Sequence, residues 1–340
     1  MNYEFLQQLP YKISVSGVGF SLGSEKLDNQ QLIEKLGIRY KASFVDRKIG
    51  IKSRYFLKEG ENTSDMAARA AQQALKSAGL SINDIDRLVV GTSSPDHLSP
   101  NMACIIQHKL GGVGFPSIDI NATCCGFIFA FDAACRAVAT GDKHVLVIGA
   151  DCRSRLMNTD DILTSFLYGD GAGAVIVSRQ DDSEHGLMSS IGFADGSGWD
   201  AVYIPAGGSA MPVTEQGVRE NKHKVYMADG QKVASSAKQG FAMLSDKVME
   251  GTPFSRDDVD FFAMHQPNLR LLEAVIDDLG IAPQKTHVNF ASYGNTIAGS
   301  IPIVLAEAHQ MGKIKRGDKV MLCGVGGGFT GGAHLLQWNL

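Results

Sequence analysis

The sequence predicts an α/β fold built by duplication, with two halves that each alternate strands and helices. Two repeated motifs indicate this. An Asp-x-Asp motif before an apolar strand occurs at positions 84–86 and again at 258–260. A Gly-Asp-Lys motif before an apolar strand occurs at 141–143 and again at 317–319. Because the motifs keep their order and nearly the same separation, they favour duplication.

The predicted elements follow from local patterns. A helix is expected over residues 64–79, where Ser64 can cap the first turn and Gly79 can end the last. Helices that begin at Cys124 and near Asn295 are apolar nearly all round, which is typical of buried helices. The polar, glycine-rich stretch 180–235 predicts an irregular insertion, such as a lid or a channel wall. The predicted strands are 88–90, 117–120, 145–148, 169–177, 261–264, 287–290, 320–323 and 326–336.

Composition excludes several classes of protein. The 340 residues include 44% hydrophobic side chains, and the net charge of −4 argues against a nucleic-acid or anionic-membrane partner. We identify no signal peptide and no apolar stretch long enough to span a bilayer. The six cysteines are scattered and form no CxxC pair, which argues against disulfides and zinc and favours a reducing cytoplasm. The sequence indicates no metal or redox cofactor.

Three chemically capable residues are expected to converge. Cys124 and Asn295 lie at corresponding strand-to-helix turns of the two halves, and His265 directly follows strand 261–264. Each alone would be read as a core cysteine, a structural histidine or an ordinary N-cap. Around a pseudo-twofold axis, however, all three would face one point at the carboxyl ends of strands. A thiol at a helix N-terminus is expected to have a lowered pKa, and the N–H groups there can hold an oxyanion.

At these residues the sequence resembles the β-ketoacyl-acyl-carrier-protein synthase III family. The likeness covers nearly the whole chain, and the order and spacing of its motifs are specific. The motifs are Asn121–Phe127 around the nucleophile, Gly169–Ala174 at the end of the first half, His265–Arg270, Tyr293–Thr296 and the glycine loop Gly326–Thr330.

The resemblance implies a thiolase fold, with five layers α-β-α-β-α and pseudo-twofold halves at residues 1–180 and 181–340. It implies that Cys124 carries the acyl group, and that its N–H and that of Gly327 form the oxyanion hole. His265 and Asn295 would stabilise the enolate formed when a malonyl- or β-ketoacyl-type thioester loses carbon dioxide. The chain would then be an acyltransferase that performs a decarboxylative Claisen condensation.

The resemblance also implies the partners. These are an acyl thioester of coenzyme A or acyl carrier protein, a malonyl-type thioester, the acidic carrier protein itself and a second copy of the chain in a homodimer. Arg270, together with basic residues between 219 and 238, is the candidate contact for the carrier. Phe329, in the glycine loop, is a further candidate for substrate binding.

Two departures from the family concern the acyl donor. In the family, a Trp and an Arg hold the adenine of coenzyme A. Here the region around Phe44 has no Trp, although the Phe44 ring could partly substitute for it, and Asp161 stands at the position of the Arg. We therefore expect at least one substrate to arrive on a carrier protein or as another thioester. A Phe that the partner subunit inserts at the base of the acyl pocket corresponds to Ser99, which predicts a medium or long acyl group unless another side chain fills the gap.

Three other functions are compatible with parts of this sequence. A degradative thiolase would use a second cysteine near Cys323, but that residue lies one position early and should face the other side of its strand. Acyl transfer to an oxygen or nitrogen of a small molecule remains an alternative, as does a non-catalytic partner subunit. The intact set Cys124, His265 and Asn295 favours condensation. The departures together favour a paralogue from specialised metabolism over the housekeeping initiator of fatty-acid synthesis.

Overall fold

The computed structural model describes residues 1–181 and 184–340. Its strands are β1 (Lys12–Leu22), β2 (Glu25–Asp28), β3 (Ser53–Phe56), β4 (Arg87–Gly91), β5 (Ser117–Ile120), β6 (His144–Asp151), β7 (Gly171–Gln180), β8 (Leu187–Gly198), β9 (Val202–Tyr203), β10 (Tyr226–Met227), β11 (Phe261–Met264), β12 (Lys319–Gly326) and β13 (Gly328–Gln337).

The helices are α1 (Tyr3–Gln8), α2 (Asn29–Leu36), α3 (Ala42–Ile49), α4 (Thr63–Ala78), α5 (Met102–Lys109), α6 (Gly126–Ala139), α7 (Ile162–Ser165), α8 (Glu215–Arg219), α9 (Gly230–Lys247), α10 (Leu269–Asp278), α11 (Phe290–Tyr293) and α12 (Ser300–Gln310). Short 3₁₀ turns occupy Ile82–Asp84, Thr123–Cys125, Arg256–Asp258, Pro283–Lys285 and Ile297–Gly299. Among the described residues, no helix has both the length and the apolar character needed to cross a bilayer.

Two sheets of matching topology form the centre of the molecule. The first has the order β1-β7-β6-β4-β5 and the second the order β8-β13-β12-β11. In each, a parallel pair, β4 with β6 or β11 with β12, continues into antiparallel strands. The first sheet has β5 as an extra edge strand, whereas the second has only a single bridge between Phe262 and Thr286 at that place. This shared order is the duplication that the repeated motifs predict.

The repeated Asp-x-Asp motif builds the same corner twice. Asp84 accepts hydrogen bonds from the N–H and the hydroxyl of Ser81, and so starts a 3₁₀ turn. The second aspartate, Asp86, accepts from the N–H groups of Lys143 and His144 and so joins β4 to β6. The second half repeats both arrangements, with Asp258 on Ser255 and Asp260 on the Lys319 N–H. The motif therefore positions the parallel pair in each half.

Five layers are held together by three apolar cores. Helices α6 and α12 lie between the sheets, and their buried side chains pack against strands from both. Helices α4 and α5 cover the outer face of the first sheet, and α9 and α10 cover that of the second. This is the α-β-α-β-α arrangement that the resemblance implies. The division of the chain at residue 180 stays a prediction. The start of the chain contacts the second sheet, because the N-terminal ammonium donates a hydrogen bond to Ser190 O on β8.

Three local predictions need correction. The helix at 64–79 forms as Thr63–Ala78, but its N-cap is Asn62, because Ser64 is buried and bonds Asp96 instead. Residues 287–290 form no strand, since the chain turns there into the short helix α11. The expected insertion at 180–235 contains β8, a full strand of the second sheet, and two of its residues, 182–183, lie outside the described part of the chain.

Candidate active site

A cavity of about 440 Å³ lies between the two halves and contains the predicted chemical groups. Cys124, His265 and Asn295 all line it, together with Gly327 and Phe329 of the glycine loop. Residues from 199 to 234 form much of the remaining wall, so this part of the predicted insertion lines the cavity as expected. Its apolar side chains include Trp199, Val202, Tyr203, Ile204, Val225 and Met227.

Cys124 sits in a strained turn that leads into the central helix α6. Thr123, immediately before it, has a φ of 47°, and Ile297 in the second half has a φ of 51°. Left-handed backbone is unfavourable for both residue types, and a β-branched residue there marks a constrained turn. The separation of these two turns along the chain equals that of the two Asp-x-Asp motifs, so Cys124 corresponds to Ala298. The expected correspondence of Cys124 with Asn295 is therefore wrong.

The glycine loop packs directly on the cysteine. A Cβ at Gly326 would lie 2.9 Å from Thr123 Oγ1 and 3.1 Å from Cys124 Cβ, so only glycine allows this approach. The carbonyl of Gly327 accepts hydrogen bonds from the hydroxyls of Thr123 and Thr330, at 3.1 and 3.4 Å. The backbone N–H groups of Cys124 and Gly327 both lower the pKa of the Cys124 thiol, because they favour its thiolate.

The Cys124 thiol nevertheless has a raised pKa. Burial raises the pKa to about 11, against the opposing effects of the Arg153 charge and of the two backbone N–H groups. The expectation of a lowered pKa is therefore wrong for the free protein. The N-terminus of a helix supplies a modest local field, whereas desolvation by the surrounding walls penalises the charged form more strongly.

His265 presents a neutral imidazole to the cavity. It follows β11, its backbone N–H donates to Cys323 O, and its side chain is buried. Burial lowers its pKa to about 3. Within the part of the chain that the structure describes, neither ring nitrogen has a hydrogen-bond partner. A buried polar group of this kind lacks a partner that a ligand can supply.

Asn295 is held rigidly at the same cavity. Its Oδ1 accepts from the Ile297 N–H at 2.8 Å, and its Nδ2 donates to Pro267 O at 3.1 Å. An amide group has two N–H donors, so one remains for a ligand in the cavity. Asn121, at the matching place in the first half, likewise accepts from the Thr123 N–H.

Three predicted residues lie outside the cavity wall. Arg270 is exposed on α10 and pairs with Glu273, although its neighbours Asn268 and Leu271 line the cavity. Phe44 is on α3, and Arg270 also donates to Arg47 O on that helix. Ser99 is exposed to solvent in this chain. The structure therefore does not bring Phe44, Ser99 or Arg270 together with Cys124.

The sequence-based reasoning missed Arg153 and Ser93. Both line the cavity, and they follow the carboxyl ends of the adjacent parallel strands β6 and β4. A charged residue shortly after a buried strand at this edge of the sheet was the available signal. Cys323, by contrast, lies in the outer core with Ser245 beside it, as its strand register predicts. No group of metal-ligating side chains is found among residues 1–181 and 184–340.

Comparisons with known proteins agree with this geometry. The family model described as 3-oxoacyl-[acyl-carrier-protein] synthase III matches residues 118–196, and its C-terminal counterpart matches residues 249–338. The β-ketoacyl-[acyl-carrier-protein] synthase III of Clostridioides difficile is 39% identical, over 97% of this chain and 99% of that protein.

Solved structures show the same likeness. The 3-oxoacyl-[acyl-carrier-protein] synthase III of Aquifex aeolicus is 34% identical, with a TM-score of 0.87 over 96% of this chain and all of that one. The priming β-ketosynthase of the R1128 polyketide pathway is 26% identical, with a TM-score of 0.86 over 98% of each chain.

Fold and cavity together define a condensing enzyme of the thiolase fold, a ketosynthase that joins acyl units by Claisen condensation. The chain belongs to the β-ketoacyl-acyl-carrier-protein synthase III family.

Proposed function

We propose that the chain condenses an acyl group held on Cys124 with a malonyl-type thioester, with loss of carbon dioxide. The observation that carries this proposal is the single cavity shared by Cys124, His265 and Asn295. Covalent attachment divides the reaction into two simpler transfers, which predicts ping-pong kinetics.

In the first transfer the Cys124 sulfur attacks the donor thioester. The carbonyl oxygen becomes an oxyanion that accepts hydrogen bonds from the N–H groups of Cys124 and Gly327. These groups already act on the sulfur in the free protein, which supports the assignment. The carrier thiol leaves with the proton of the Cys124 thiol, and the acyl group remains as a thioester on the enzyme.

In the second transfer the malonyl-type thioester loses its carboxylate as carbon dioxide. The electrons of the broken bond form an enolate, whose oxygen accepts hydrogen bonds from His265 and Asn295. Both donors are neutral and buried, so they are suited to a charge that develops in the transition state. The enolate carbon then attacks the acyl carbonyl, the bond to Cys124 breaks, and the sulfur takes up a proton.

The donor acyl group is larger than acetyl. A cavity of about 150 Å³ suffices to hold benzene, whereas this one measures about 440 Å³ and has mainly apolar walls. Phe329 also lines it. A medium acyl chain therefore fits alongside the pantetheine arm. Whether Ser99 enlarges the pocket depends on a partner subunit, because Ser99 does not line the cavity of this chain.

The carrier is an acyl carrier protein for at least one substrate. Arg270 offers an exposed positive charge on the helix whose first residues line the cavity. Phe44, on the adjacent helix α3, stacks on Tyr40 with ring centres 6.2 Å apart, so this aromatic pair stands near the same rim. Such a rim suits an acidic carrier whose pantetheine arm enters the cavity.

The enzyme acts as a homodimer in a reducing compartment such as the cytoplasm. Strand β5 is an edge of the five-stranded sheet, and exposed edges favour pairing. Large apolar side chains on and near it are exposed, including Ile118, Leu98 and Val113.

All six cysteines are free thiols, which fits a reducing environment.

The test is intact-protein mass spectrometry after mixing the enzyme with acyl-coenzyme A and acyl-carrier-protein thioesters of several chain lengths. We expect a mass gain with donors longer than acetyl that is absent in Cys124→Ala. An adduct that persists in Cys124→Ala would overturn the assignment of the nucleophile. Loading by acetyl alone would overturn the proposed donor.

A further inference from the structure

A buried cation in the cavity wall, Arg153, forms no ion pair with any side chain that the structure describes. The Arg153 side chain is only 6% exposed and lines the same cavity as Cys124. A guanidinium has five N–H donors. Its Nη2 donates to Ser93 Oγ at 2.6 Å, while its Nε is buried without any partner among the described residues.

The carboxylate of Asp151, which shares the Ser93 hydroxyl with Arg153, is already occupied. Asp151, at the end of β6, is fully buried and forms no ion pair with Arg153 within the described residues. Its carboxylate accepts hydrogen bonds from the Thr92, Ser93 and Ser94 hydroxyls and from the Ser93 and Ala298 N–H groups. The Ser93 hydroxyl thus donates to Asp151 and accepts from Arg153, which fixes the guanidinium in place.

Such an arrangement is unfavourable without a ligand. Removing a charge from water costs several kcal/mol unless an opposite charge and hydrogen bonds compensate. Buried charges in proteins are accordingly paired, and a guanidinium suits a carboxylate because two parallel N–H donors match its two oxygens. The unpartnered Nε of Arg153 therefore indicates an anion that enters the cavity with a substrate.

We propose that Arg153 binds a carboxylate at the far end of the acyl group carried by Cys124, so that the donor is the monothioester of a dicarboxylic acid. This inference rests on the proposed function and specifies its donor. The size of the cavity agrees with this donor. The cavity is larger than an acetyl group needs, and the acyl chain must reach from the thioester to the guanidinium.

Two other anions, the carrier phosphates and the malonyl carboxylate, are less suited to bind this guanidinium. Arg153 lies close enough to Cys124 for its charge to favour the thiolate, whereas carrier phosphates lie at the opposite end of the pantetheine arm. The malonyl carboxylate must leave as carbon dioxide. A guanidinium would stabilise that carboxylate in the ground state and so oppose its loss, because catalysis requires preferential binding of the transition state.

The experiment compares two series of donors in the first transfer and then follows the discharge of acylated Cys124 by malonyl-coenzyme A. Wild-type protein is mixed with succinyl-, glutaryl- and adipyl-coenzyme A, or with the length-matched butanoyl, pentanoyl and hexanoyl thioesters. The rate of Cys124 acylation is followed by intact mass. The same rates are measured for Arg153→Met, which keeps an unbranched apolar stem, and for Arg155→Met, whose arginine donates to backbone carbonyls outside the cavity.

We expect the wild-type protein to prefer at least one carboxylated donor over its matched alkyl donor. Arg153→Met should lose at least about 30-fold in acylation by that donor, as expected for truncating one member of a buried charge pair. Acylation by alkyl donors should fall only by the factor by which Arg153→Met slows alkylation of Cys124 by iodoacetamide, and its persistence also shows that the variant is folded. Arg155→Met should behave as wild type.

Three results would overturn the inference. They are a wild-type preference for alkyl donors, an equal loss of both series in Arg153→Met, and a loss confined to the discharge of acylated Cys124 by malonyl-coenzyme A. The last result would assign Arg153 to the malonyl carboxylate. After any of these three results, the proposed function still stands if any donor acylates Cys124. Failure of the inference about Arg153 can therefore be distinguished from failure of the proposed function.

Discussion

Burial of the Cys124 thiol makes a quantitative prediction about its reactivity. The rise of its pKa from 9.0 to about 11 corresponds to about 3 kcal/mol against the thiolate. At pH 8 the thiolate fraction is then about 10⁻³, compared with about 0.1 for a thiol of pKa 9.0. Because only the thiolate is alkylated, its fraction sets the rate at which iodoacetamide modifies Cys124.

The assay measures that rate between pH 7 and 10 by peptide mass spectrometry, with the exposed Cys104 followed in the same digest. We expect the Cys124 rate to rise about tenfold per pH unit, without a plateau in this range. Arg153→Met should slow the reaction further at a given pH, because the Arg153 charge favours the thiolate. A plateau at or below pH 8 would refute the reasoning that burial outweighs the helix terminus.

Three further predictions concern the site and the stability of the fold. Alanine at Asn295 or His265 should slow decarboxylation of malonyl-coenzyme A by about 10²-fold or more, measured as released carbon dioxide, while acylation of the nucleophile persists. Loss of acylation as well would contradict the separate roles. Gly326→Ala should slow acylation, because the added methyl meets atoms 2.9 Å away, whereas Gly196→Ala, with open space around it, should not. Equal rates in the two variants would count against the close approach of the glycine loop. His265 and His334 are neutral in the fold, with pKa values lowered to about 3 and about 4. The unfolded chain binds more protons below about pH 6.5, so the free energy of unfolding should fall by up to about 1.4 kcal/mol per pH unit for each histidine, measured by urea titration at pH 7 and 5. Constant stability would contradict their burial.

The fold was predictable because its signals are local. The paired aspartates recur with the same hydrogen bonds in each half, so their spacing in the sequence already marks the parallel strands. The register of the two central turns was harder to predict. The spacing of the Asp-x-Asp motifs does match Cys124 with Ala298, but the left-handed backbone at Thr123 and Ile297, which marks the two turns as equivalent, is not indicated by these residue types. The chemical resemblance of the turns therefore suggested a correspondence with Asn295 that the backbone does not support.

The site was predictable in its members but not in its electrostatics. Cys124, His265 and Asn295 could be placed together because Cys124 and Asn295 precede the two apolar central helices and His265 follows a strand of the duplicated unit. The raised pKa of Cys124 arises from walls contributed by distant parts of the chain. Arg153 shows the same limit in part, because its place after β6 is visible in the sequence whereas its burial depends on the surrounding elements.

The most direct test of the account follows a single turnover of acylated enzyme. Protein that carries an acyl group on Cys124 is freed of donor and mixed with malonyl-coenzyme A or malonyl-acyl-carrier-protein. The account predicts that the acyl mass leaves the protein, that one carbon dioxide is released per acyl group, and that a β-ketoacyl thioester appears. Discharge to water or to a small-molecule oxygen or nitrogen, without carbon dioxide, would contradict it and would favour simple acyl transfer.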